Sequence, residues 1–394
     1  NITGSVRTAT LTLTSGTLTQ NIIIEQEPAE FVNLEQNIYN VSVEGGELDI
    51  RFSTNIAEDE LLIYGSLGTG TWLTQETKTR ASSSYMLNLT VLPNTDGVSR
   101  TAYIYFVKVT DMESIVVEIV TIIQRGEVAS ESTDYSSDKK VRVLQTAKLG
   151  KGLPIVLMGD GFIDTEINDG TYDAVMDKAF ENLFTEEPIK SLRDYFNVYA
   201  VTAVSKHNIF GTGYETALGC ELAGGNSTGI SGEDNAVQRY VQCVDNIDMS
   251  ETLAVVILNS PAYAGTTYFG YTNQTKVVEF AIAYCPVIYD LQSESFRQVL
   301  VHEAVGHGFA KLEDEYAYQE NGTISSKEIK NVQYLQTLGW AQNVDFTSDP
   351  SQVLWSAFLN DNRYVSEKLG VFEGACTYIK GAYRPSEESM MNSN

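Results

Sequence analysis

Two of the chain's three histidines, His302 and His307, flank Glu303 in the run HEAVGHGFAKLEDEY at residues 302–316. Imidazole nitrogens are good ligands for a divalent metal, and a carboxylate beside them can accept a proton. Three more acids, Glu313, Asp314 and Glu315, follow closely. These are the parts of a catalytic zinc site, in which three protein ligands leave a fourth position for water. The usual spacing is H-E-x-x-H; here one further residue separates the histidines. In an ideal α-helix, positions i and i+4 lie about 40° apart and i and i+5 about 140° apart, so one metal could not take both rings. A π-bulge absorbs one extra residue, and Gly306 would tolerate the distortion. The spacing therefore predicts a helix locally widened between His302 and His307.

The element that carries these residues is predicted from its own sequence. Ser295 to Gln298 has the S-x-x-Q form of a helix start, and Phe296, Val299, Leu300 and Val301 supply an apolar face. Upstream, Tyr172, Val175, Met176, Ala179, Phe180, Leu183 and Phe184 recur at helical spacing. Leu153–Met158, Val198–Val204 and Leu253–Leu258 read as buried strands, and Asp234–Val244 as a helix.

The run at 302–316 resembles the zinc helix of the bacterial immunoglobulin-A peptidase family, whose motif continues after a short spacer into L-x-D-E-Y. Leu312, Asp314, Glu315 and Tyr316 match that tail, and the inserted residue is the departure. The chain is also similar at this point to dipeptidyl peptidase III, with its H-E-x-x-G-H. The resemblance implies an α/β zincin (metzincin-like) metallopeptidase domain over residues 141–394. It implies one catalytic zinc held by His302, His307 and Asp314, with Glu303 as general base. Glu315 and Glu313 remain alternatives for the third ligand, with His207 more distant. The family has a similar Y-R-P stretch leading to a methionine, which places Met391, with Met390 next to it, as an apolar floor under the metal.

Other assignments follow from the same likeness. Leu253–Asn259 would be the upper rim of the cleft, an edge able to pair with substrate, and Tyr263 and Tyr268 would shape subsites. Tyr316 is a candidate oxyanion donor or a neighbour of the ligands. Asp160 orients a histidine or holds a turn, and Arg384 contacts substrate or anchors a turn. No serine-nucleophile, nucleotide-binding or calcium-loop pattern is present.

Composition sets the outer bounds. The formal net charge of −26 disfavours nucleic acid and anionic membrane surfaces as partners. No membrane-length apolar run, leader or lipid-attachment cysteine occurs, and the four cysteines permit two disulfides, Cys220–Cys243 being the better local pair and Cys285–Cys376 the other. Four unpaired thiols fit the sequence as well.

The N-terminal part is all-β by pattern. Leu48, Ile50 and Phe52, then Tyr85, Leu87, Leu89 and Val91, alternate with polar residues between turn formers, as in an immunoglobulin-like sandwich. NITGSVRTATLTL at residue 1 repeats as NTDGVSRTAYIYF at residue 94, each copy running on to a glutamine, Gln26 or Gln124. Residues 30–127 resemble the BACON domain through Thr54–Asn55, Trp72–Leu73, Asn94, Arg100–Ala102 and Gln124. A tryptophan usual near residues 58–63 is missing, which favours a spacer over the carbohydrate contact the likeness implies. The expected organisation is multidomain: residues 1–29 as the second half of a preceding repeat, 30–127 as the sandwich, 128–140 as a linker and 141–394 as the peptidase.

The leading function is a zinc endopeptidase, secreted, surface-attached or periplasmic, acting on extracellular proteins or glycoproteins. The alternative is a glycan- or protein-binding surface protein whose peptidase-like half is inactive.

Overall fold

Period-2 alternation in the first third and continuous apolar strands in the rest predict two kinds of core, and both kinds are found. The computed structural model describes residues 7–15, 18–26, 30–65, 72–81, 84–94, 99–110, 114–124, 126, 130–211, 213–223, 228–273, 276–288, 290–318 and 321–392. It divides into two compact units, most of the first lying before residue 129 and most of the second from there onward.

In the first unit, β1 (Arg7–Ser15) and β2 (Leu18–Gln26) form an antiparallel hairpin. Eight strands follow: β3 (Val32–Leu34), β4 (Ile38–Val41), β5 (Gly46–Thr54), β6 (Leu61–Gly65), β7 (Leu73–Ala81), β8 (Ser84–Val91), β9 (Arg100–Val109) and β10 (Ser114–Gln124). They make two four-stranded sheets, β3-β5-β8-β7 and β4-β10-β9-β6. Ile50, Phe52, Leu87 and Leu89 from one sheet meet Ile104, Phe106, Val120 and Ile122 from the other, the sandwich core that the alternation requires. The internal repeat is visible as register: Arg7 pairs with Gln26 in β1–β2 as Arg100 pairs with Gln124 in β9–β10. In the second copy Arg100 Nε donates to Gln124 Oε1 at 2.9 Å, and the guanidinium lies 4.5 Å from the Trp72 ring centre. Asn1, Gly4 and Gly97 of the repeat lie outside the described residues.

Part of the expected linker belongs to the second unit. Residues 127–129 lie outside the described residues, but Ser132 N–H donates to Lys206 O at 2.8 Å and Tyr240 Oη donates to Asp138 Oδ1 at 2.8 Å. A polar, apolar-poor composition suggested a free connector; here it supplies hydrogen bonds instead of apolar area.

The second unit runs β11 (Val141–Gln145), β12 (Leu153–Asp160), α1 (Asp164–Asn168), α2 (Thr171–Leu183), β13 (Phe196–Val201), β14 (Glu221–Leu222), β15 (Ile230–Ser231), α3 (Asp234–Val241), β16 (Leu253–Leu258), β17 (Thr266–Asn273), β18 (Lys276–Pro286), α4 (Glu294–Leu300), a π-helix (Val301–Phe309), α5 (Ser326–Thr337), β19 (Phe372–Ala375) and β20 (Tyr378–Arg384). Its main sheet has the order β11-β13-β12-β16-β18-β17, with β13, β12, β16 and β18 mutually parallel and the two edges antiparallel. Along β12, Ile155 and Leu157 enter the core under α2, α4 and the π-helix, while Val156 and Met158 enter the one under α3. Both faces are covered, which is why these strands read as unbroken apolar runs.

Two expectations change, and between the two readings of the cysteines the unpaired one holds. Leu253–Leu258 is fully buried between β12 and β18, so it is no rim; the edge is β17, which the mixed Gly/Tyr/Thr composition concealed. The helix before the histidines is capped by Ser293, whose Oγ accepts from Phe296 N–H at 3.3 Å, two residues ahead of Ser295. Cys220, Cys243, Cys285 and Cys376 are all free thiols. No helix among the described residues is long and apolar enough to cross a membrane.

Candidate metal centre

The inserted residue is absorbed as the spacing requires. Val301–Phe309 is a π-helix, and Ala310 N–H bonds to Val305 O, five residues back, at 2.9 Å. His302 and His307 are thereby brought onto one face, their ring centres 4.8 Å apart and their planes at 82°. Gly306 serves a different purpose from the one anticipated. Its backbone is ordinary, but a Cβ there would lie 2.2 Å from Met391 Sδ, so glycine is needed for space. Met391 is 1% exposed and packs against the helix at Gly306.

Each histidine is oriented through the nitrogen that faces away from the site. His302 Nδ1 bonds to Met390 O at 2.8 Å and His307 Nδ1 to Leu312 O at 2.7 Å. A main-chain oxygen can only accept, so both Nδ1 atoms carry protons and the Nε2 atoms point inward. They converge on one atom: Asp314 Oδ1 lies 3.2 Å from His302 Nε2 and 3.1 Å from His307 Nε2. The ligand atoms of His302, His307 and Asp314 all fall within 4.8 Å of one another, the one such cluster among the described residues. In this tautomer both Nε2 atoms and the carboxylate face one point, which a proton held between His307 and Asp314 fills and a metal cation could take over. Burial opposes charge on His307, yet Asp314, by hydrogen bond and by charge, prevails and pushes the imidazole up to about 9. Burial likewise acts to raise the Asp314 carboxyl, but the two histidines hold it well below the usual carboxylate range. The donor set fits a zinc ion with an open position: two imidazoles, one carboxylate and supported second nitrogens.

Glu303 is 7% exposed beside this cluster. Burial pushes its carboxyl upward, against the pull of His307, His302 and a hydrogen bond from Thr267. Thr267 Oγ1, on edge strand β17, lies 2.7 Å from Glu303 Oε2 and 2.9 Å from Glu303 O. A Cβ on Gly265, just before β17, would lie 2.6 Å from Glu303 Oε1, so this segment leaves room for one carboxylate oxygen while Thr267 of β17 binds the other. Sequence reasoning missed both residues; the only trace was the small-residue step Gly265–Thr266–Thr267 beside aromatic positions.

The remaining candidates separate cleanly. Glu315 is 3% exposed and fully engaged, accepting from Asn343 Nδ2 at 2.9 Å and Ser389 Oγ at 2.6 Å. Glu313 stands outside the three-residue cluster, and burial pushes its carboxyl upward. His207 Nδ1 accepts Glu215 N–H at 2.8 Å within its own loop. The Tyr316 ring lies 6.1 Å from that of His302, and burial and the Asp314 charge push its hydroxyl upward. Asp160 touches neither histidine and holds residues 216–220. Arg384 anchors a turn, donating to the carbonyls of Glu373, Gly374 and Ser386. Tyr268 is 43% exposed on β17 and donates to Ile230 O at 2.8 Å; Tyr263 is half-exposed.

Residues 141–366 match the family model described as IgA Peptidase M64. The chain belongs to that family. Residues 57–125 of this M64 peptidase match the BACON domain model. No curated protein matches the peptidase. Among solved structures it is similar to a Bacteroides ovatus GH5 xyloglucanase in complex with a XXXG heptasaccharide, at 17% identity over 27% of this chain and 21% of that one, TM-score 0.19. It is similar to an endo-fucoidan hydrolase from glycoside hydrolase family 107, at 13% identity over 32% and 19%, TM-score 0.18. A third is the GspB Siglec domain, at 13% identity over 44% and 96%, TM-score 0.19. The M64 peptidase thus spans about a fifth of the length of the xyloglucanase chain.

Proposed function

We propose that the M64 peptidase is a zinc endopeptidase of metzincin-like architecture, with His302, His307 and Asp314 as ligands and Glu303 as general base. The observation that carries this is the convergence of both Nε2 atoms on Asp314 Oδ1, at 3.2 and 3.1 Å, beside a buried glutamate. The metzincin-like reading is supported by the antiparallel edge strand β17 against the π-helix and by Met391 under the histidines.

Bound zinc would supply Lewis acidity toward a water and a peptide carbonyl. The protein's own groups do the rest. Glu303, with Oε2 held by Thr267 and Oε1 free, takes a proton from the attacking water and delivers it to the departing amine nitrogen. The enclosure of His302 and Glu303 keeps bulk water from competing for that proton. Strand β17 offers its open edge to an extended substrate backbone, with Tyr268 beside it. The substrate class is an extracellular protein or glycoprotein, with residues 30–127 as a spacer and residues 1–29 as part of a repeat like it; secretion or surface display suits both.

Zinc content and cleavage of a denatured protein, for wild type beside Glu303→Gln, test the assignment. Zinc near one per chain, with the rate lost in the variant by roughly 10²–10⁴-fold, is the expected result. No zinc uptake and no cleavage would remove the peptidase mechanism and favour a binding role.

A further inference from the structure

Asp314 is carried by a turn, not by a helix or strand, so something must hold its carboxylate toward the histidines. The turn begins at Lys311, in the left-handed region at φ 57°, where the π-helix ends. Residues 341–343, which follow α5, run beside it: Ala341 N–H donates to Lys311 O at 2.8 Å. Asn343 then grips both neighbours of Asp314. Its Oδ1 accepts Glu313 N–H at 2.9 Å, and its Nδ2 donates to Glu313 O at 2.7 Å and to Glu315 Oε1 at 2.9 Å. One side-chain amide thus pairs with both polar groups of residue 313, as a ladder partner would, and uses its remaining hydrogen on the side chain of residue 315.

We infer that Asn343 is a positioning residue of the metal site, clamping the chain on either side of Asp314 so that its carboxylate faces His302 and His307. Glu315 acts as the relay. Its other oxygen takes the Ser389 hydroxyl at 2.6 Å, and its N–H donates to Met391 O at 2.8 Å, which ties the ligand turn to the methionine segment under the histidines. Cys376 N–H holds Asp314 O at 2.8 Å but reaches neither flanking side chain. The carboxylate next to the ligand is therefore an anchor, and Asn343 is what it is anchored to. This inference rests on the zinc reading above.

The test is zinc affinity of the full chain, measured by competition with a chromophoric chelator after metal removal, with Co²⁺ absorption as a report of ligand geometry. Asn343→Ala is expected to weaken zinc binding 10–100-fold, the usual cost of losing a ligand's hydrogen-bonded support. The Co²⁺ spectrum should broaden or shift, while the metal-free protein keeps its circular dichroism. Asn343→Asp, which keeps the shape and the Glu313 N–H bond but loses both donated bonds, should show a loss in the same direction and serves if the alanine variant does not fold. Wild-type affinity and spectrum in either folded variant would overturn the inference. A wild type that takes up no zinc would instead overturn the metal reading, and this inference with it.

Discussion

Asp160, at the end of β12, and Asp314, in the stretch after the π-helix, are both enclosed carboxylates of the second unit, and the contrast between them separates a structural acid from a candidate ligand. Asp160 is 0% exposed and surrounded by donors: Leu218 N–H at 2.9 Å, Ser205 Oγ at 3.2 Å, Thr216 Oγ1 at 2.7 Å and Cys220 N–H at 3.0 Å. Its charge is spread over hydrogen bonds that already exist. Asp314 faces two imidazoles whose outer nitrogens donate hydrogen bonds to main-chain oxygens, so its partners are the inner nitrogens, which can hold a proton toward it or release it to bind a metal. The first arrangement leaves no place for a metal, and the second can exchange its proton for one. Burial alone does not tell them apart; the protons on their partners do.

The strongest attempt to break this contrast exchanges the two acids' fates. Asp314→Ala should abolish zinc binding, well beyond the roughly 100-fold that a supporting residue costs, and cleavage should go with it. Asp160→Asn should keep zinc and lose stability by about 2 kcal/mol, because the new amide turns N–H groups toward N–H and O–H donors. Zinc content and denaturant melts read both, and a folded Asp160→Asn lacking zinc would defeat the distinction. Chelation sharpens it. Metal at 100 times its dissociation constant adds about 2.7 kcal/mol to the folded state. Removing it should lower Tm in wild type and Asp160→Asn but leave Asp314→Ala unmoved. A smaller effect is expected at the base: Thr267→Val should lower kcat about tenfold with KM and zinc content unchanged, since one charge-assisted hydrogen bond is lost, and Thr267→Ser should restore it. A Thr267→Val enzyme with wild-type kcat would show that Glu303 holds its place without β17.

Much of this was legible in the sequence. His302, Glu303 and His307 announced themselves by type, and the extra residue between them forced the π-helix by geometry alone. The helical spacing from Tyr172 and the alternation around Ile50 named the two kinds of core, because period records which face is buried. Asp314 could not be separated from Glu315 that way: adjacent acids look alike until the fold assigns Asn343 and Ser389 to one and two histidines to the other. Thr267 and Asn343 carry no signal, being a polar residue on an edge strand and one in a loop, and each matters through a contact 36 or 30 positions away. The edge itself was misplaced because a fully buried strand and a rim strand differ in what lies beside them.

Asp164 offers the mildest test, as a second acid of the Asp160 kind. Its Oδ2 accepts the N–H groups of Thr133 and Asp134 at 2.9 and 2.7 Å, and its Oδ1 accepts Thr165 N–H at 2.8 Å. Burial pushes the carboxyl up, but these backbone donors outweigh it and hold it below its ordinary value. A depressed folded pKa means that the bound form contributes stability above the unfolded value, ~3.9, and that this contribution is lost as pH falls through the folded value beneath it. Asp164→Asn should therefore lower Tm by roughly 2–4 °C at neutral pH, with the gap to wild type closing on acidification below about pH 4. Zinc content should not change, since this acid, like Asp160, has N–H donors where Asp314 has imidazole nitrogens. A gap that persists unchanged to low pH would mean that Asp164 acts by shape and not by charge. A gap accompanied by zinc loss would join residues 133–134 to the metal centre, which their hydrogen bonds place in the frame instead.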